Sequence, residues 1–526
     1  MKSIILLFVI VALSFSLRIV WAQEKLGKVD FPISCSPEAQ AQFNRAVAML
    51  HSFWFPQAPK AFAAVSETDP GCAMAHWGIA ISQRANPLVG PPDAAALKRG
   101  LASIERAKAI GAKTQRERDY IAAIELFYKD SDKLDHRTRV LAYEKALEQL
   151  YLAYSQDTEA AIFYALAINE AIDFEDKTYA RQLKAAQILQ RVWAKQPEHP
   201  GVLHYLIHSY DFPPLASRGL ATARRYAAVA PSAPHALHMP SHVFSMLGMW
   251  QESIKSNREA LGVAKNYVHA MDFMVYAHLQ GAQDSEAKRL LEESAALYKT
   301  QAPTAELTPT GGVLAVHTAF AAIPARYAIE RGAWADAAAL QPRPSTPAAD
   351  AITYFTRAMG KVRNGDVNGA RKDIEQLESL KNTLTTAKQK YWADQVEIQR
   401  RAAAAWAAHA DGKSDEALKL MRSAAQLEDA SEKHVAMENR LWPMHELLAE
   451  LILAMNQPAQ ALSEFEASFK AAPNRFRGYY GAAKAAERLG DQKKARRYYE
   501  KLLELCKQAD GERPELVEAK AFLAKQ

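Results

Sequence analysis

Four histidines stand at a spacing that coordination chemistry can use. His204 and His208 are four residues apart, His238 and His242 repeat the pair, and thirty-four residues separate the first pair from the second. Residues four apart share one face of a helix, so each pair directs its imidazoles the same way. Neighbouring helices lie ~8–10 Å apart and imidazole–metal bonds measure ~2.0–2.1 Å, so two such pairs on adjacent helices can surround one ion. Asp272 and His269 supply further ligand atoms, and Asp211 or Tyr276 can act as acid or base. No thiolate lies nearby in sequence, which leaves Zn²⁺, Cu²⁺ or Fe²⁺ as the divalent transition metal, bound by histidine and carboxylate. Pro240 falls between His238 and His242 and removes a backbone hydrogen bond to Ala236, so a kink is expected there.

Other chemistry is excluded by inspection. The chain has no G-x-x-x-x-G-K-[ST] loop, no G-x-G-x-x-G, no G-x-S-x-G and no C-x-x-C. His445-Glu446-Leu447-Leu448-Ala449 misses the zincin pattern by its last residue. Ten Lys and Arg against three acidic residues in 470–502 belong to a solvated terminal helix pair, and no nucleic-acid partner is expected.

The interval of thirty-four is the period of the chain itself. Residues 39–72 place Ala46, Phe55, Ala58, Phe62 and Pro70 at positions 8, 17, 20, 24 and 32 of a helix–turn–helix unit. The register returns at 200–233, 234–267 and 268–301 without insertion, and again at 442–475 and 476–509, with single units near 351 and 398. Strand signals are missing, and Ala, Leu, Glu, Lys and Arg dominate. The pattern resembles the tetratricopeptide repeat, which implies an all-α, right-handed solenoid of stacked helix hairpins. That resemblance also implies that positions 2, 5, 9 and 12 of each first helix face a concave groove. His204 with His208, and His238 with His242, then occupy positions 5 and 9 of consecutive units, with Asp272 and Tyr276 at those positions of the third and His269 at its position 2. Asp211 and His235 join Tyr276 among the groove residues.

Lys2, the apolar run Ile4–Leu17 and the small residues Val20 and Ala22 predict a secretory signal over 1–22, with a retained N-terminal anchor as the alternative. Its removal takes away Lys2 and Arg18 and lowers the formal charge from +6 to +4. No later stretch has the ~20 apolar residues of a membrane span. The mature chain is therefore expected in the periplasm or outside the cell. There Cys35 and Cys72, which flank the repeat 39–72, are expected to pair, leaving Cys506 free. Pro-rich stretches at 301–312 and 341–350 predict a solenoid block over 23–300, a linker with a short helix pair over 301–350 and a second block over 351–526.

SCSPEAQAQFNRAVAMLHSFWF, DPGCAMAHWGIAIS, PHALHMPSHVFSMLGMW and PNRFRGYYGAAKAAERLGD are similar to segments of a large group of bacterial exported tetratricopeptide-repeat proteins. That resemblance implies fold and export and carries no activity. The chain thus reads as an exported scaffold whose groove binds a peptide or protein partner, rather than as a recognised enzyme. The second reading is a histidine-rich metalloprotein with its site in the groove of repeats 200–301. His51 and His76, beside Trp54 and Trp77, are secondary candidates for the same groove.

Overall fold

The computed structural model describes residues 24–301, 304 and 307–525, so the expected signal over 1–22 lies outside the described residues. All regular elements among the described residues are helices. The repeat register is met unit by unit. Pro37–His51 pairs with Ala58–Thr68, Pro200–Tyr210 with Leu220–Val229, Val268–Gln280 with Asp284–Thr300, Met444–Ala454 with Pro458–Ser468, and Phe476–Leu489 with Gln492–Leu505. The units near 351 and 398 are the hairpins Pro347–Arg363 with Val367–Thr386 and Lys390–Ala410 with Ser414–Asp429.

Local chemistry sets the boundaries. Proline opens the helices at 37, 200, 234, 240, 347, 458 and 514, where its missing N–H costs nothing. Asp93, Asp135, Asp157 and Asp491 cap first turns, and Thr114 forms a reciprocal capping box with Glu117. Pro240 breaks the first helix of the unit 234–267 into Pro234–His238 and Pro240–Met246.

One packing device joins unit to unit at both ends of the chain. An added Cβ on Gly78 would lie 2.1 Å from the Phe62 ring, and one on Gly481 would lie 2.2 Å from the Phe465 ring. In each case an aromatic at position 24 lies flat on a glycine sixteen residues on, which brings successive helices close. Buried apolar side chains form an N-terminal cluster from Leu26 to Phe244, a C-terminal one from Ala282 to Ala519, and a smaller one from Trp250 to Ile323 between them. That middle cluster runs across 301–350, where the helices Val313–Glu330 and Trp334–Ala339 stand.

Two segments between helices fold back onto distant parts of the chain. Residues 307–312 carry the buried Leu307, Thr308 and Thr310, and the carbonyl of Pro309 accepts from the Phe55 N–H. The stretch from Ser431 to Trp442 is also buried for most of its length. Its Glu432 N–H donates to the Phe174 carbonyl, its Ala436 carbonyl accepts from Thr318 and its Asn439 carbonyl accepts from Arg326. The second segment also reaches the face expected to be an open groove, where Lys433 meets Asp211.

Cys35 and Cys72 form the expected disulfide, with Cα atoms 5.3 Å apart, and Cys506 is free and buried. The bond closes a span of 37 residues. Cys35→Ser is expected to lower the unfolding free energy by ~4 kcal/mol on the loop-entropy account. Urea titration of oxidised wild type against the variant measures it, and equal stabilities would contradict that account.

Candidate metal centre

The register that spaces the histidines also stacks their helices, and six imidazoles meet on the inner face. His204, His208, His235, His238, His242 and His269 are each no more than 5 % exposed. They form two groups of three, His204–His208–His235 and His238–His242–His269, and in each group one ring nitrogen per residue lies within 4.8 Å of the others. The expectation was one ion among four rings. Instead, each pair is completed by the ring at position 2 of the next unit, so each group straddles a seam between adjacent units. The two groups adjoin: ring centroids lie 6.0 Å apart for His208 and His242 and 5.7 Å apart for His235 and His238.

In three of the rings the outer nitrogen fixes the tautomer. His204 Nδ1 lies 2.6 Å from the His51 carbonyl, which only accepts, so Nδ1 carries the hydrogen. His238 Nδ1 lies 2.6 Å from Asn257 Oδ1, and the Asn257 amide nitrogen is spent on the Ser253 carbonyl, so Nδ1 is again the donor. His242 Nδ1 donates to Asp211 Oδ2 at 2.8 Å. His235 Nδ1 lies 2.9 Å from the Tyr267 hydroxyl. Bonds from the far nitrogen to a carbonyl, amide or carboxylate are the arrangement that orients metal-ligating histidines.

The inner nitrogens of His204, His238 and His242 are then bare. His238 Nε2 and His242 Nε2 face each other at 3.1 Å, and with both hydrogens on Nδ1 no proton stands between their lone pairs. His204 Nε2 lies 3.0 Å from His208 Nε2 and 3.1 Å from His235 Nε2, although one lone pair accepts only one good hydrogen bond. Two nitrogens bound tetrahedrally at ~2.0–2.1 Å sit ~3.3 Å apart. The spacings of His204 to His208 and His235, and of His238 to His242, suit a cation.

That cation is not a proton at neutral pH. Burial drives His204 down to about 3 and His238 to about 4, and it pushes His208, His235, His242 and His269 far below the ordinary imidazole range. Repulsion among the rings adds to this in the last four. His208 Nδ1, His269 Nδ1 and Asp211 Oδ1 are buried without a hydrogen bond in the structure, so polar capacity remains at this spot.

No family model and no curated protein matches the chain. Among solved structures it is similar to the human IFIT1 dimer with m7Gppp-AAAA, at 12 % identity and TM-score 0.39, covering 82 % of this chain and 90 % of that one. It is similar to Naa15/Naa10 bound to HypK-THB at 12 % identity and TM-score 0.25, covering 92 % and 72 %. A tetratricopeptide repeat protein from Parabacteroides merdae matches at 13 % identity and TM-score 0.25, covering 66 % and 98 %. Likenesses this distant say nothing about the histidines, whose reading rests on geometry.

Other candidates fall outside the two groups. Asp272 is bound by Arg326 at 3.0 Å and is not among the ligand atoms. Tyr276 is buried with its hydroxyl on Arg475 and its face under Arg326. Partly exposed His76 belongs to neither group. His51 forms a third group with Glu159 and His199, but there each Nε2 is spent on its own carboxylate oxygen, at 2.9 and 2.8 Å. This is a hydrogen-bonded bracket, and it steadies the residue whose carbonyl holds His204.

Sequence reasoning missed Lys433. It arrives on the fold-back segment with Nζ 3.3 Å from Asp211 Oδ2, across 222 positions of chain. No local pattern announces such a contact. The third ligands did leave a signal, since His235 and His269 are also thirty-four residues apart. His208 further lines a cavity of about 430 Å³ with Asn169, Phe174, Phe212, Tyr391 and His434, which gives the centre an approach.

Proposed function

We propose that the chain is a metalloprotein that holds two transition-metal ions side by side, one on His204, His208 and His235 and the other on His238, His242 and His269. The observation that carries this is the pair His238 and His242: both hydrogens are committed outward and two lone pairs are left 3.1 Å apart in a buried site. Such an arrangement is costly unless a cation lies between them. Three protein ligands per ion leave a coordination position open, as sites that bind or transform a small molecule require. Zinc, copper and iron all accept imidazole.

A peptide or protein partner of the scaffold would meet residues 431–442 on this face, where Lys433 holds Asp211. No helix among the described residues is long and apolar enough to cross a membrane. The Cys35–Cys72 bond suits an oxidising compartment such as the periplasm. The test is elemental analysis of full-length protein purified without chelator or affinity metal. Two ions per chain, lost on dialysis against a strong chelator and restored by the metal salt, are expected. Protein that takes up no ion at micromolar free zinc or copper would overturn the proposal.

A further inference from the structure

We infer that the two triads select copper, and that the pair of copper ions takes up dioxygen between them. This rests on the metal reading above and adds the metal and the ligand.

The donor set narrows the metal. All six donors are neutral imidazoles. The nearest carboxylate, Asp211, has Oδ2 held by His242 Nδ1–H at 2.8 Å and by Lys433 Nζ at 3.3 Å, and Asp272 is tied to Arg326. Magnesium, calcium and manganese sites are rich in oxygen donors, and di-iron and di-manganese sites in helical proteins are built from several glutamates. Neither description fits six imidazoles.

Charge points the same way. The centre is buried and already holds the Lys433 ammonium against one carboxylate. Two divalent ions would bring four positive charges into it with no anionic ligand, which desolvation strongly opposes. Two cuprous ions bring half that charge, and three imidazoles suit cuprous copper, which accepts low coordination numbers.

Dioxygen then fits the charge balance. It enters neutral, each Cu(I) gives up one electron to become Cu(II), and the O₂ becomes a peroxide dianion that keeps its O–O single bond. The metals gain two positive charges and the ligand two negative ones, so the site's total charge is unchanged. No proton and no outside reductant is needed, and release of O₂ reverses the step. Rings of the two triads adjoin, with centroids 5.7 and 6.0 Å apart, so the two sites lie side by side as bridging by a diatomic requires. The cavity beside His208 admits a small apolar molecule.

The experiment loads metal-free full-length protein with a cuprous salt under argon, counts copper, then admits O₂. Two coppers per chain are expected, with one O₂ consumed per two coppers, a strong new near-ultraviolet absorption, no Cu(II) paramagnetic resonance signal because the two spins couple, and reversal on evacuation. His208→Ala and His242→Ala, each missing a ligand at the seam, are expected to abolish O₂ uptake. Two coppers without O₂ uptake, or an ordinary isolated Cu(II) signal after oxidation, would overturn the inference. Protein that holds two zinc ions but refuses Cu(I) would also overturn it and leave the metal reading standing. Protein that holds neither metal would sink both.

Discussion

His238→Ala is expected to strip one of the two ions and weaken its site by well over ~100-fold, the upper end of what losing an outer-shell partner costs. The other triad, which shares no ligand with it, should retain its ion at that stage. His204→Ala should do the converse, and the double variant should bind neither. Asn257→Ala removes only the acceptor of the His238 Nδ1–H, so it should weaken binding ~10–100-fold without abolishing it. His409→Ala, on the helix Lys390–Ala410 and outside both triads, should change nothing. Competition titration against a chromophoric chelator reads all five variants. The same binding energy appears as stability: an ion at a thousandfold excess over its Kd adds ~4 kcal/mol, so two add ~8 kcal/mol to wild type and half that to either single variant. Equal affinities across the series would show that the ions bind elsewhere.

Acid should unfold the metal-free protein unusually early. Seven buried imidazoles, the six of the triads and His434, sit well below their ordinary range because burial opposes their charge. Once unfolded they regain a value near 6.5. Between about pH 6.5 and 4 the unfolded chain therefore binds more protons than the folded one, and stability falls as pH falls. Glu438 acts in the opposite sense. Burial raises it to about 8, so the folded chain already holds that proton. Seven imidazoles less one carboxyl leave a net uptake of about six protons on unfolding, worth roughly 10 kcal/mol between pH 7 and 5. Urea titrations at pH 7, 6 and 5 should show the steep loss, and His204→Gln should flatten it by about one proton. Stability that is level over this range would mean that the imidazoles are not buried neutral. Ordinary histidines on an open groove would let go of metal near pH 6, whereas ligands held neutral by burial should keep it to lower pH.

The helices and the histidine pairs were legible because both follow from a period. Ala46, Phe62 and Pro70 mark where helices touch and stop, and the same interval carries His204 to His238 and His235 to His269. Pro240 announced its own break, and the short helix after it still brings His242 to His238, ring centroids 5.0 Å apart. The division into two groups of three was not legible from four positions, because it depends on where position 2 of one helix falls against positions 5 and 9 of its neighbour. The fold-back of residues 431–442 was hidden for another reason. Residues 431–442 reach Phe174, Asp211, Thr318 and Arg326 through contacts more than a hundred residues apart, and such pairings leave no periodic trace. The Pro-rich stretch 301–312 signals a break in the helices, yet its end packs on Phe55.

The most direct test of the central claim is diffraction from crystals of the metal-loaded protein, with anomalous data collected on both sides of the metal absorption edge. Two peaks per chain are expected, one within ~2.0–2.2 Å of a nitrogen of each of His204, His208 and His235, the other likewise among His238, His242 and His269. A map with no peak among these six rings, in protein shown to carry metal, would contradict the account.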